Sequence, residues 1–387
     1  MSAGFRSSVL ASAEVWFGAG ELDRLGNFLT RHSVRSCLLL TGAGSYRRSG
    51  AADRLRKALT GIRVWHWRPV PPNPPAGFVA AAASALRGSG TDAVLAVGGG
   101  SVLDAGKLVA ALAGQPGPPE EYLDGTRPLA DVHRPLLVLV PTTGGSGSEA
   151  TSIAVTTVDG RRSSLRHRLL GADLAVVDPE LTWSAPAALT ASCGMDVLCH
   201  AVESYWSVAS TPQSRAHAAA AIPLVVDHLV PACTRPSARE ALCRAALSAG
   251  RAIEITQTTA AHALSYALTT DFGVAHGHAC GVFLGAVFEH NAAVTPGDTN
   301  DARGAAFVRA RIGELQELLG VRTPREARVR LDGLVAATGL RTRLADLGVR
   351  AADLPRLVDA ATHSPRLAGN PRRLGRAALL DLVTRLR

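Results

Sequence analysis

Through the first half of the chain, short apolar runs alternate with longer stretches of helical spacing. That alternation predicts a parallel sheet with covering helices. The strand-like runs are SCLLLT (36–41), IRVWHW (62–67), DAVLAV (92–97), PLLVLV (135–140), TSIAVTTV (151–158) and DLAVV (173–177). Helices fit between them at 51–60, 76–87 and 102–113. From about Pro186 onward, alanine- and leucine-rich segments with helical periodicity run to the end of the sequence, with few β-branched runs. The expected organisation is an α/β domain over residues 1–185 followed by an all-helical domain over 186–387. The stretches VPPNPP and GQPGPPEEYLDG are loops, fixed by proline and glycine.

Composition changes this picture little. At 387 residues and 47% hydrophobic content the chain is long enough and apolar enough for two cores. No unbroken apolar run approaches the roughly 18 residues of a membrane span, and MSAGFRSSVLASAEVWFGAG does not read as an export signal. The six cysteines are scattered without CxxC pairing, which favours reduced thiols and a cytoplasmic setting. A net charge of +9 invites a nucleic-acid reading. Against it, the arginines are dispersed, the only lysines are Lys57 and Lys107, and no nucleic-acid-binding motif is present. The partners expected are therefore a small molecule, with no nucleic acid and no membrane.

Two glycine-rich loops carry the first chemical signal. DAVLAVGGGSVLDAGKLVA reads as strand, Gly98-Gly99-Gly100-Ser101, then helix, a turn that lets backbone N–H groups approach a phosphate. It is not the GxGxxG fingerprint. A tight turn that needs glycine for its own sake is an equally good reading of this loop alone. LVLVPTTGGSGSEATSIAV follows the same plan, with hydroxyls at Thr142, Thr143, Ser146 and Ser148. Two such loops at the C-terminal ends of parallel strands describe a crevice for a phosphate-bearing ligand, and a dinucleotide suits it.

The second signal lies in the helical half. GMDVLCHAVESYW puts Asp196 and His200 four residues apart on one helix face. His262 sits in another apolar helix, and His276 follows the expected turn TTDFG at the start of the next. One carboxylate and three imidazoles suit Fe(II) or Zn(II) with a position open for substrate. Taken singly, Asp196 and His200 are better explained as a helix-surface pair and His262 as a core histidine, and spacing alone does not bring the four together.

In order and at matching spacing, GGGSVLDAGK, PTTGGSGSEAT, GMDVLCHAVESYW and AHALSYALTTDFGVAHGHA resemble the iron-containing (group III) metal-dependent alcohol dehydrogenases. The resemblance spans about Ser36 to Asn291, with a weaker echo at NPRR (370–373). It implies a dehydroquinate synthase-like fold: an α/β N-terminal domain with a parallel Rossmann-like sheet plus an all-α C-terminal domain. It implies that Asp196, His200, His262 and His276 bind one divalent metal, Fe2+ or Zn2+. It also implies that Asn73, Gly98, Gly99, Gly100, Ser101, Asp104, Thr142, Thr143 and Ser146 border NAD(H) or NADP(H), in a protein often dimeric or larger.

Three positions depart from the family pattern. Tyr266 stands where many relatives carry a further histidine; its hydroxyl serves a proton to the substrate oxygen or shapes the pocket. Gly42, followed by Arg47 and Arg48, stands where NAD-preferring members have an acidic residue, which makes NADPH plausible. Arg162 replaces a lysine common in the cofactor loop. The implied reaction is hydride transfer between a nicotinamide and a metal-bound carbonyl, with Tyr266 and His278 as candidate proton donors. HAVESYW, AHALSYALT and FGVAHGHA look most like the subgroup reducing phosphonoacetaldehyde to 2-hydroxyethylphosphonate in phosphonate antibiotic biosynthesis, where tyrosine also tends to occupy the place of Tyr266. Arg162, Arg166 and Arg372 are candidates to meet its anionic group. Rival readings are an alcohol dehydrogenase for a small unphosphorylated substrate and a dehydroquinate synthase-like lyase. The lyase reading suffers from a helical half without lysine.

Overall fold

The computed structural model describes residues 13–387; most of the stretch considered above for an export signal lies outside them. Two compact units divide the chain.

The first unit is built on eight strands: β1 (Glu14–Phe17), β2 (Ser36–Thr41), β3 (Arg63–His66), β4 (Ala93–Gly98), β5 (Leu136–Pro141), β6 (Ile153–Val158), β7 (Arg161–Arg166) and β8 (Leu174–Val177). Six of them form one sheet in the order β1-β8-β5-β4-β2-β3. The β1–β8, β8–β5, β4–β2 and β2–β3 pairings are parallel. The strands β2, β4 and β8 are buried along their whole length, as expected of a sheet covered on both faces. At the edge, β3 is exposed throughout. The helices of this unit are α1 (Leu25–Arg31), the first half of α2 (Ser45–Arg48), whose Arg47 and Arg48 group with the second unit, α3 (Ala51–Ala58), α4 (Ala76–Leu86), α5 (Gly100–Ala113) and α6 (Glu120–Leu123).

One expected strand does not join the sheet. TSIAVTTV becomes β6, which pairs antiparallel with β7 in a separate two-stranded ribbon. A run of β-branched residues reads the same in either setting, so the sequence did not distinguish them. β1 (EVWF) offers an apolar run of only three residues, and polar β7 (RRSSLR) offers none.

The second unit holds α7 (Ala187–Trp206), α8 (Pro212–Thr234), α9 (Arg239–Ile255), α10 (Ala260–Phe272), α11 (His276–Ala292), α12 (Ala305–Leu319), α13 (Pro324–Ala337), α14 (Leu354–Thr362) and α15 (Arg376–Arg385). The chain passes into it at Asp178, and the loop Pro141–Gly147 packs with it too. At its centre, α7 is buried on nearly every side from Thr190 to Trp206 and packs against α8, α9 and α11. A helix apolar all round belongs inside a core. Among the described residues α8 is the one helix long and apolar enough to cross a membrane by length and composition. Polar residues Arg215, His217, Asp227 and His228 interrupt it, and its Ile222, Val225 and Leu229 are buried in this unit's core.

Candidate metal centre

Helix α7 presents Asp196, His200 and Glu203 on one face, at offsets of four and three residues. All three are buried. Helix α10 brings His262 at its third position. It runs through TTDF, the stretch expected to be a turn, and stops at Gly273, whose φ of 67° gives the left-handed cap that glycine accommodates. Three residues later His276 opens α11. A close approach fixes this start: a Cβ on Gly277 would lie 2.0 Å from the Ser192 carbonyl oxygen and 2.7 Å from Asp196 Cβ. Only glycine lets α11 lie this tightly on α7, with His276 beside Asp196.

The four residues converge on one carboxylate oxygen. Asp196 Oδ1 lies 3.5 Å from His262 Nε2, 3.7 Å from His200 Nε2 and 3.9 Å from His276 Nε2. Tetrahedral donors about 2.1 Å from one divalent ion are separated by roughly 3.4 Å, so these spacings suit such an ion. Asp196 Oδ1 and His262 Nε2 are buried without a hydrogen-bond partner. Leaving two such atoms unsatisfied costs about 1–3 kcal/mol each, a cost that a shared cation removes.

Glu203 was missed by sequence reasoning, although an acid in an apolar helix three residues from His200 was a usable signal. Its Oε2 meets His262 Nδ1, and its Oε1 accepts from Thr259 Oγ1 and the Ala261 N–H, both at 2.8 Å. Accepting a hydrogen bond from Nδ1–H leaves the Nε2 lone pair of His262 facing Asp196, the arrangement that orients metal-binding histidines. Burial opposes the charge on Glu203, but His262, Thr259 and the Ala261 N–H outweigh it and hold its pKa below the usual value. Burial likewise resists ionisation of Asp196, yet His200, His276 and His262 hold its carboxyl far below the ordinary range. Burial pushes His200 down to about 4, so its ring is neutral and able to donate a lone pair.

Cys280, one turn beyond His276, also borders the cluster and was not anticipated. Its Sγ is 4.0 and 3.9 Å from the two ring nitrogens of His276, nearly equidistant from both. The Tyr266 ring stacks against His276 at 6.1 Å between centroids and 20° between planes. At its hydroxyl edge, Arg366 Nε donates to Tyr266 Oη. His278 is placed elsewhere: two residues along α11 its side chain turns to nearly the opposite side, where Nε2 contacts the Arg341 carbonyl oxygen at 2.7 Å. That ring is committed to the backbone, which removes it as a proton donor to the cluster.

In the first unit, Gly98 ends β4 and Gly100 and Ser101 begin α5, with Gly99 as the extended cap. A Cβ on Gly98 would lie 2.5 Å from Val102 Cγ2, so packing alone requires glycine there. Ser101 Oγ accepts from the N–H of Asn73, itself at φ 49°. Asp104 ties the loops together, accepting from Ser148 Oγ at 2.5 Å and the Val155 N–H at 3.0 Å. Burial raises its pKa, and Lys107 and Arg162 are among the charges that oppose the rise. Lys107 is fully buried and donates to Thr151 Oγ1 and the Ile153 carbonyl. In the second unit, Thr142 is buried beside the half-buried Thr143 and Ser146. A Cβ on Gly145 would meet Cys193 Cβ at 2.7 Å, and one on Gly147 the Ala246 carbonyl oxygen at 2.6 Å. Arg47 and Arg48 are exposed beyond Gly42. Arg372 donates to Asp298 and to the His290 carbonyl, which removes it as an anion receptor.

A parallel α/β unit, a helical unit and a buried carboxylate–imidazole cluster together describe a metal-dependent dehydrogenase. The chain belongs to the iron-containing alcohol dehydrogenase family: the model "Iron-containing alcohol dehydrogenase" matches residues 12–179, and "Fe-containing alcohol dehydrogenase family, C-terminal" matches 190–386. It is an oxidoreductase of that family. Among relatives, it is 39% identical to the phosphonoacetaldehyde reductase of Streptomyces viridochromogenes, over 86% of this chain and 85% of that protein. It is 34% identical to long-chain-alcohol dehydrogenase 1 of Geobacillus thermodenitrificans, over 90% and 89%. The solved structure of sulfoacetaldehyde reductase from Bifidobacterium kashiwanohense in complex with NAD+ superposes with a TM-score of 0.87 at 29% identity, covering 99% of each chain.

Proposed function

We propose that this protein reduces phosphonoacetaldehyde to 2-hydroxyethylphosphonate with NAD(P)H, as a step in phosphonate natural-product biosynthesis. The observation that carries the substrate is the 39% identity to a phosphonoacetaldehyde reductase along most of both chains, against 34% for the long-chain-alcohol dehydrogenase. Asp196, His200, His262 and His276 hold the metal, Fe2+ or Zn2+. Asn73, Gly98 to Ser101, Asp104, Thr142, Thr143, Ser146 and Arg162 form the cofactor's surroundings. The absence of a carboxylate at Gly42 makes NADPH acceptable as well as NADH. The six free cysteines support a cytoplasmic setting, and the family resemblance supports a homodimer.

When bound, the divalent ion supplies Lewis acidity and the nicotinamide supplies the hydride. The chain's own part is electrostatic and positional. Asp196 offsets cationic charge at the cluster. Glu203 fixes the tautomer of His262, and burial keeps His200 neutral as a donor. Tyr266, held at its hydroxyl by Arg366 and along its ring by His276, borders the reacting centre with a phenolic oxygen of defined orientation.

The test is turnover of phosphonoacetaldehyde against unphosphorylated two- to four-carbon aldehydes, with metal content measured on the same chelator-free preparation. A clear preference for phosphonoacetaldehyde is expected. Faster turnover of a plain aldehyde overturns the substrate, and full activity without a divalent metal overturns the centre.

A further inference from the structure

Arg366 is a guanidinium whose partners are all neutral. Nε donates to Tyr266 Oη and Nη1 to Thr258 Oγ1 at 2.5 Å. No acidic side chain pairs with it among the described residues, and Nη2 makes no hydrogen bond there. Arg303, Arg328, Arg350 and Arg372, by contrast, all pair with carboxylates. Arg366 is half-buried, and Thr258 is only 4% exposed. A cation held by hydroxyls keeps its full charge for an incoming anion, whereas one already paired does not.

Its place matters as much as its charge. The Tyr266 ring lies with its face against His276 and its hydroxyl edge against Arg366, whose Cζ is 5.4 Å from the ring centroid. Tyr266 is therefore in contact with both the imidazole cluster and the guanidinium. We propose that Arg366, steadied by Tyr266 and Thr258, receives the anionic headgroup of the substrate while the aldehyde end lies at the Asp196 cluster. Such a site selects a short aldehyde with a tetrahedral oxyanion, phosphonate or sulfonate, on its far carbon. Fork-shaped donors suit such a group, and the lysine ammonium does not reproduce that geometry.

This rests on the anionic substrate proposed above, and the experiment separates the two. Wild type, Arg366→Gln and Arg366→Lys are compared on phosphonoacetaldehyde, sulfoacetaldehyde and propanal, with metal content and circular dichroism recorded for each. Arg366→Gln is expected to lower the ratio of kcat/KM for phosphonoacetaldehyde to that for propanal by about 100-fold, chiefly through KM. Arg366→Lys recovers part of it. Methylphosphonate, competing with propanal, is expected to inhibit wild type and to inhibit Arg366→Lys more weakly. An unchanged ratio in Arg366→Gln, or in Arg366→Lys should the glutamine variant not fold, overturns the role of Arg366 whichever aldehyde wild type prefers. A wild type that favours sulfoacetaldehyde or propanal, with the ratio still collapsing in the variants, overturns the phosphonate reading and leaves the anion receptor standing.

Discussion

The two units hold their polar groups in opposite ways. In the helical unit, Asp196 Oδ1 and His262 Nε2 face each other at 3.5 Å, buried and without hydrogen bonds. In the α/β unit, Asp104 accepts from Ser148 and the Val155 N–H, and Lys107 donates to Thr151 and to backbone carbonyls. The first arrangement sets two acceptor atoms face to face, a pair that a positive charge between them, a metal ion or an added proton on His262, would reconcile. The second is a finished structure, whose Gly98 is already required by Val102. Polar residues thus point to a ligand most strongly where the protein leaves them unsatisfied. A motif whose residues satisfy each other carries less information about what binds there.

Mutations sharpen this contrast. The largest effect is expected from His276→Ala, which removes an exposed-edge donor without opening the core: metal content and activity should be almost abolished while the circular dichroism and urea midpoint stay near wild type. Full metal occupancy in that variant would break the contrast. Glu203→Gln comes next, with metal affinity lowered about 10- to 100-fold by chelator competition, because the amide no longer fixes His262 as the carboxylate does. Wild-type affinity would mean that His262 is oriented by packing alone. The smallest effect is expected in the α/β unit. Ser101→Ala removes one acceptor from the Asn73 N–H and should raise the cofactor KM by about 2- to 10-fold, with metal content unchanged. A metal loss there would show that the two regions are not separable in this way.

Much of the framework was legible because burial writes itself into periodicity. The fully buried strands β2, β4 and β8 stand out as apolar runs, and β2 spans the expected residues 36–41. The ribbon β6–β7 was not, since Ile153–Val158 has the composition of a sheet strand while Arg161–Arg166 has none of it. Of the site, Asp196 and His200 were visible as a four-residue pair on one helix. Their meeting with His262 and His276 depends on Gly277 and Gly273, whose roles are set by helix approach and not by any local pattern. Arg366 was hidden for a different reason. It lies 100 residues from Tyr266 in an arginine-rich chain, and only the fold reveals that, among the described residues, no carboxylate pairs with it.

The central claim is that one carboxylate and three imidazoles surround a single cation. X-ray absorption at the metal edge of the zinc- or cobalt-loaded protein reads that donor set directly. The account predicts nitrogen and oxygen scatterers at roughly 2.0–2.2 Å, with the multiple-scattering signature of three imidazoles and no sulfur. A sulfur scatterer near 2.3 Å, placing Cys280 on the metal, or a signal from fewer than three imidazoles would contradict it.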